Sequence, residues 1–140
     1  MKASASWQNN SLSFSGTAAT GFVVPMGSDD DGFRPMELLL VSLAGCTGMD
    51  VISILQKKRQ DVTDFQVQID SDRATDHPKV FTHIRVHYVV RGRNIDPKAV
   101  ERAVELSKYK YCSVSAMLSQ AAQVNHTFEV VEEAMATLQH

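Results

Sequence analysis

The sequence predicts an α+β domain, and three observations carry that expectation. Short segments that alternate apolar and polar residues stand at both ends and in the middle of the chain. A long apolar stretch built around LLLVSLAGCTGMD reads as a core helix, and a segment opened by Asp96 and Pro97 reads as an amphipathic one. The resulting order, β-β-β-α-β-β-α-α-β, has no internal repeat and no low-complexity linker. With 140 residues and 44% hydrophobic content the chain suits one domain, taken as residues 1–140.

Within residues 1–25, SLSFS sets Leu12 and Phe14 on one side and Asn9-Asn10 sits where a turn joins two strands, with a third strand near TGFVVP. The following MGSDDDGFRP is a loop, and its Asp29-Asp30-Asp31 run lacks the spaced oxygens and closing Glu of a calcium loop. Pro35 opens the central helix, expected over about 35–59 and apolar on every face, with the basic QKKRQ at its end suiting the helix dipole. Two antiparallel strands are expected over about 64–92, with Phe65, Val67, Ile69, Ile84, Val86 and Tyr88 inward. DHPK marks their turn. Helices should fill about 97–122 with a break near Tyr111, and HTFEVVEE should give a last strand at about 126–131.

Composition excludes several classes. The 14 basic and 16 acidic side chains give a net charge of -2 without a basic cluster, so no nucleic-acid partner is expected. The N-terminus has no apolar h-region, and the uncharged apolar run between Glu37 and Asp50 is 12 residues, short of the roughly 20 that span a bilayer, so no membrane is expected. The expected compartment is the cytoplasm. Two cysteines are too few for a secreted disulfide scaffold.

Cys46 and Cys112 are the candidates for chemistry, each with a structural reading beside the reactive one. A free cysteine in a core helix is commonly a small buried hydrophobe. Beside Cys46, however, Gly45 and Gly48 each cost about 1 kcal/mol relative to Ala in a helix, which suggests a close neighbour or a pocket around the sulfur. Cys112 stands at the start of a short helix near Lys108 and Lys110, where a thiolate would be favoured; the other reading is a capped core junction. Asp50, one turn after Cys46, would raise the thiol pKa if close. His83 and His87 share a strand face about 13 Å apart, too far for one ion, and no CxxC or helical HxxxH supports a metal held by the cysteines and a histidine. No cofactor is expected.

RPMELLLVSLAGCTGMDV and CSVSAML resemble the two cysteine motifs of the OsmC/Ohr family, the osmotically inducible and organic hydroperoxide resistance proteins. The resemblance covers nearly the whole chain. It implies an OsmC-like fold, with antiparallel sheets wrapped around a long buried central helix, in an intertwined homodimer whose active sites lie at the subunit interface. It implies a thiol-dependent peroxidase in which Cys46 attacks an organic hydroperoxide and becomes a sulfenic acid, Cys112 resolves it to a disulfide, and a small dithiol or lipoyl-type reductant restores both thiols. In the family an Arg and a Glu assist the thiol. Residues 1–33 hold no arginine, so Arg34 and Glu37 are the candidates, although nine residues at 100° set Glu37 opposite Cys46 on an ideal helix. The alternative is a non-enzymatic dimer that binds a small apolar or electrophilic ligand in the same cleft.

Overall fold

The computed structural model describes residues 1–9, 11–28 and 30–133, so the C-terminal segment EEAMATLQH lies outside the described residues beyond Glu133. The chain divides into two compact units, Met1–Val41 and Ser42–His140.

The first unit holds β1 (Ala3–Trp7), β2 (Phe14–Ala18) and β3 (Val23–Met26), an antiparallel sheet in that order. Trp7 pairs with Phe14 and Phe14 with Met26. Asn9 and Ser11 take φ of 59° and 46° in the β1–β2 turn, and the Trp7 indole N–H donates to the Ser11 carbonyl at 3.0 Å. Leu12 belongs to this turn, not to the strand expected from SLSFS. Trp7, Phe22 and Val23 remain exposed. In the acidic loop the Asp31 carboxylate accepts a hydrogen bond from the Ser13 hydroxyl.

Helix α1 (Pro35–Lys57) begins in this unit and continues into the second. Pro35 supplies a φ already suited to the first turn, and the Arg34 backbone N–H donates to Glu37 Oε1 at 2.9 Å, one half of a capping box. The helix ends two residues before the expected boundary because Arg59 turns left-handed, φ 57°, with its N–H on the Gln56 carbonyl and that of Gln60 on the Leu55 carbonyl.

The second unit is built on β4 (Asp61–Arg73), β5 (Phe81–Arg93) and β6 (Gln123–Glu132). The β4 and β5 strands pair antiparallel as expected, but β6 runs parallel to β5, with Val86 opposite His126. A purely antiparallel sheet is therefore ruled out. Parallel neighbours need a crossover, and it is made here by α2 (Pro97–Leu106), a π-helical turn (Ser107–Tyr111) and α3 (Ser113–Leu118). Asp96 caps α2 by accepting from the Lys98 N–H at 3.0 Å.

The core takes the inward side chains Ile84, Val86, Tyr88 and Val90 of β5, Val100, Ala103 and Val104 of α2, and a single stripe of α1. That stripe is Leu43, Thr47, Val51 and Leu55, one residue per turn. The expected burial on every face is not met within one chain: Leu39 is 42%, Val41 51% and Met49 69% exposed. Taken by length and composition alone, the 23-residue helix is also long and apolar enough to cross a membrane, because charged ends extend the span beyond its uncharged run. Its buried stripe, and the hydrogen bonds of Thr47 and Asp50, tie it instead to the second unit. The outer sheet face is polar. Arg85 bridges Asp70 and Asp72, and His87 bonds Thr127 and Glu129, in keeping with the surface placement expected for the strand histidines.

Candidate thiol site

The site is assembled by three elements of the second unit. Cys46 and Asp50 stand one turn apart on α1, so they share a face. Cys112 arrives through the π-helical turn. Its N–H bonds the Ser107 carbonyl at 2.9 Å, five residues back, and its backbone then opens to φ -79°, ψ 102° as the N-cap of α3. The Cys46 sulfur, the Cys112 sulfur and an Asp50 carboxylate oxygen all lie within 4.8 Å of one another. Both cysteines are free thiols, Cys46 half-buried and Cys112 only 3% exposed.

Cys112 departs from the expectation of a favoured thiolate. The Ser115 N–H does donate to its sulfur at 3.3 Å, but burial outweighs that bond, and the Cys46 and Asp50 groups beside it act in the same direction. Its pKa is pushed up to about 11. Lys108 and Lys110 lie over the rings of Tyr109 and Tyr111.

Behind Asp50 runs a buried polar chain. Ser107 Oγ donates to Asp50 Oδ2 at 2.9 Å, lies 2.7 Å from Thr47 Oγ1, and Thr47 Oγ1 lies 2.6 Å from the Tyr88 hydroxyl, which is 2.9 Å from His126 Nδ1. Each hydroxyl has one hydrogen, so only one arrangement serves every link once Ser107 has given its own to Asp50. We assign Thr47 donating to Ser107, Tyr88 to Thr47, and a neutral His126 donating from Nδ1 to Tyr88. That tautomer leaves Nε2 as a bare lone pair, and Nε2 is buried with no partner among the described residues. Burial, with Lys108 adding to it, pushes His126 down to about 4 and keeps it neutral; burial likewise holds the Tyr88 proton, with a pKa raised to about 12. Tyr88 stacks between Phe65 and His126 at centroid distances of 6.4 and 5.9 Å.

The two glycines beside Cys46 have different surroundings. A Cβ on Gly48 would meet Val67 Cγ2 at 3.3 Å, so this glycine lets β4 approach α1. A Cβ on Gly45 would meet nothing within 4 Å among the described residues apart from its chain neighbours and the adjoining backbone of its own helix. Asp50 also borders a cleft of about 290 Å³ with Ser53, Ile54, Lys57, Leu106 and Tyr111.

Arg34 and Glu37 belong to the first unit. They face each other there at 3.9 Å with side chains 61% and 53% exposed, and the Glu37 carboxylate also serves the helix start. The structure thus brings Cys46, Cys112 and Asp50 together, while the expected Arg and Glu pair with one another. Sequence reasoning missed Thr47, Ser107 and His126. The signal available was polar residues at core phase: Thr47 in the stripe of α1, Ser107 three positions after Val104, and His126 two before the inward Phe128.

The family model described as OsmC-like protein matches residues 27–127. Protein YhfA of Escherichia coli strain K12 is 45% identical over 133 residues, 94% of this chain and 98% of that one. Among solved structures, a hypothetical protein from Aquifex aeolicus is 36% identical with a TM-score of 0.86, covering 95% of this chain and 97% of its own. An organic hydroperoxide resistance protein from Legionella pneumophila shares the fold at 14% identity and a TM-score of 0.66, covering 92% and 96%. The chain thus shares its fold with these proteins over nearly its whole length, and it belongs to the OsmC-like family.

Proposed function

We propose that the protein is a thiol-dependent peroxidase for organic hydroperoxides. The observation that carries this reading is the approach of the two sulfurs within one small cluster. Exposure divides their roles. Half-buried Cys46 is the sulfur a peroxide reaches, and buried Cys112, protonated at neutral pH, waits for the oxidised product. The Cys46 thiolate takes the outer OH of ROOH to become a sulfenic acid, the O–O bond breaks, and the departing alkoxide takes a proton from solvent to leave as ROH. The Cys112 sulfur then displaces hydroxide from the Cys46 sulfenic acid, forming the S–S bond and releasing water with the Cys112 proton. A small dithiol or lipoyl-type reductant returns the two electrons. Reduced thiols are kept in the cytoplasm, the compartment this cycle needs.

The protein works as a homodimer in this reading. Exposed Leu39, Val41 and Met49 on α1, and the open space at Gly45, supply apolar surface that a second copy would cover. Arg34 and Glu37 would act on the thiol only if such an assembly carried them to it. One observation favours the alternative, a non-enzymatic dimer binding a small apolar or electrophilic ligand: burial, with the Asp50 carboxylate beside it, disfavours the thiolate of Cys112.

The two separate in one experiment. Fully reduced protein receives one equivalent of cumene hydroperoxide without air, free thiols are counted, and any disulfide is located by peptide mass. Loss of both thiols into a Cys46–Cys112 link, absent in Cys46→Ser, is expected. Survival of both thiols in excess peroxide would sink the peroxidase reading.

A further inference from the structure

We infer that in the reduced protein Cys46, Asp50 and Cys112 form a three-donor binding site for zinc. Two thiols and a carboxylate whose ligand atoms all lie within 4.8 Å of one another match the donor types and number that zinc takes when one position stays open. Zinc binds sulfur at about 2.3 Å and carboxylate oxygen at about 2.0–2.2 Å, so tetrahedral donors stand roughly 3.5 Å apart.

The backbone supplies the convergence. Residues one turn apart on a helix present both side chains to a common point, and the π-helical turn delivers the second sulfur to it. The donors are also held from behind. Fully buried Ser107 donates to Asp50 Oδ2, and the Ser115 N–H donates to the Cys112 sulfur. Hydrogen bonds of this kind orient metal ligands and stabilise the negative charge that each carries once the ion is bound. The remaining coordination position would take water.

The donor set also chooses the ion. Two sulfurs reject the hard cations magnesium and calcium, which seek oxygen, and favour a borderline-soft divalent ion. The exchange is a proton displacement without redox change. Two S–H bonds break, two Zn–S bonds form, the carboxylate adds its oxygen, and two protons leave to solvent. Binding would also occupy both sulfur lone pairs, so zinc would slow the attack on a peroxide. That regulatory consequence rests on the proposed peroxidase cycle; the site itself does not.

The test uses the full chain, reduced and free of air, with no peroxide present. Zinc is titrated against a chromophoric chelator, and cobalt is added separately as a spectroscopic probe of thiolate ligation. One zinc per chain is expected, together with near-ultraviolet thiolate-to-cobalt bands. Asp50→Asn should bind about tenfold more weakly or worse, since it loses a charged donor. Cys46→Ser and the preformed disulfide should lose the bands, with circular dichroism verifying that each variant is folded. Equal affinity in folded Asp50→Asn and the native chain overturns the three-donor site, as does undiminished binding to the disulfide form. Zinc binding by a chain whose thiols ignore cumene hydroperoxide would leave this site standing and remove the peroxidase reading alone.

Discussion

Neutral His126 is the far end of the hydrogen-bond chain behind Asp50, and acidification perturbs it directly. Its folded-state pKa is depressed, from 6.5 to about 4, so the unfolded chain takes up a proton first as pH falls. The imidazole therefore contributes stability that is present above about pH 6.5 and is lost as pH drops towards 4. The full gap corresponds to about 3 kcal/mol, and screening at this half-buried ring reduces it to roughly 2 kcal/mol. By about pH 4.5 most of that is gone, or roughly 1.5 kcal/mol. Urea unfolding at about pH 7 and 4.5 measures it against His126→Asn, whose amide can donate to Tyr88 but cannot take up a proton in this range. Native protein should lose roughly 1.5 kcal/mol more than the variant between the two pH values. Nitrogen NMR of the native ring should show the Nδ1–H tautomer through this range. A His126 titrating near 6.5, or one carrying its proton on Nε2, would refute the direction of the whole chain.

The buried Cys112 thiol gives a second test. In Cys46→Ser, which keeps the burial of Cys112 but removes the push from the neighbouring sulfur, thiolate absorbance near 240 nm should rise with a midpoint above the ordinary thiol value of 9.0, and stability should fall as pH climbs from about 9 towards that midpoint, because the unfolded thiol ionises first. A midpoint at or below 9 would mean that the helix start governs the sulfur after all. The cap of α2 gives a third. Asp96→Ala removes the bond to the Lys98 N–H and should cost about 1 kcal/mol in urea unfolding, without altering thiol reactivity, since the helix start stands a full helix away from Cys112.

Much of this architecture was legible because it rests on local rules. Pro35 and Pro97 marked helix starts, alternation in β4 and β5 set their inward faces, and the break near Tyr111 is the π-helical turn. The pairing of β6 was not legible, since alternation fixes which face a strand buries but not the direction of its neighbour. The burial of α1 was overstated for a single chain, because hydropathy counts apolar residues without saying what covers them. At the site, the two cysteines stood out by residue type and Asp50 by helical spacing. Thr47, Ser107, Tyr88 and His126 become one network only through long-range packing, which joins residues 38 to 60 positions apart. The Cys112 environment stayed open between a favoured thiolate and a capped core junction for a related reason: a helix start is a local feature, while the desolvation that decides for the core junction depends on everything folded over the sulfur.

The π-helical turn sets the angular phase of the second cysteine. A π turn accommodates one residue more than an α turn, so the five residues Ser107–Tyr111 act as a built-in insertion in an otherwise ordinary helix. Removing one of them would restore the α ladder, rotate everything after it by about 100° and draw it back by about 1.5 Å. Cys112 would then point away from Cys46 although no residue of the cluster had changed. The meeting of the two sulfurs is thus written partly in chain length, and a one-codon deletion within Ser107–Tyr111 that leaves both cysteines in the sequence is enough to dissolve it.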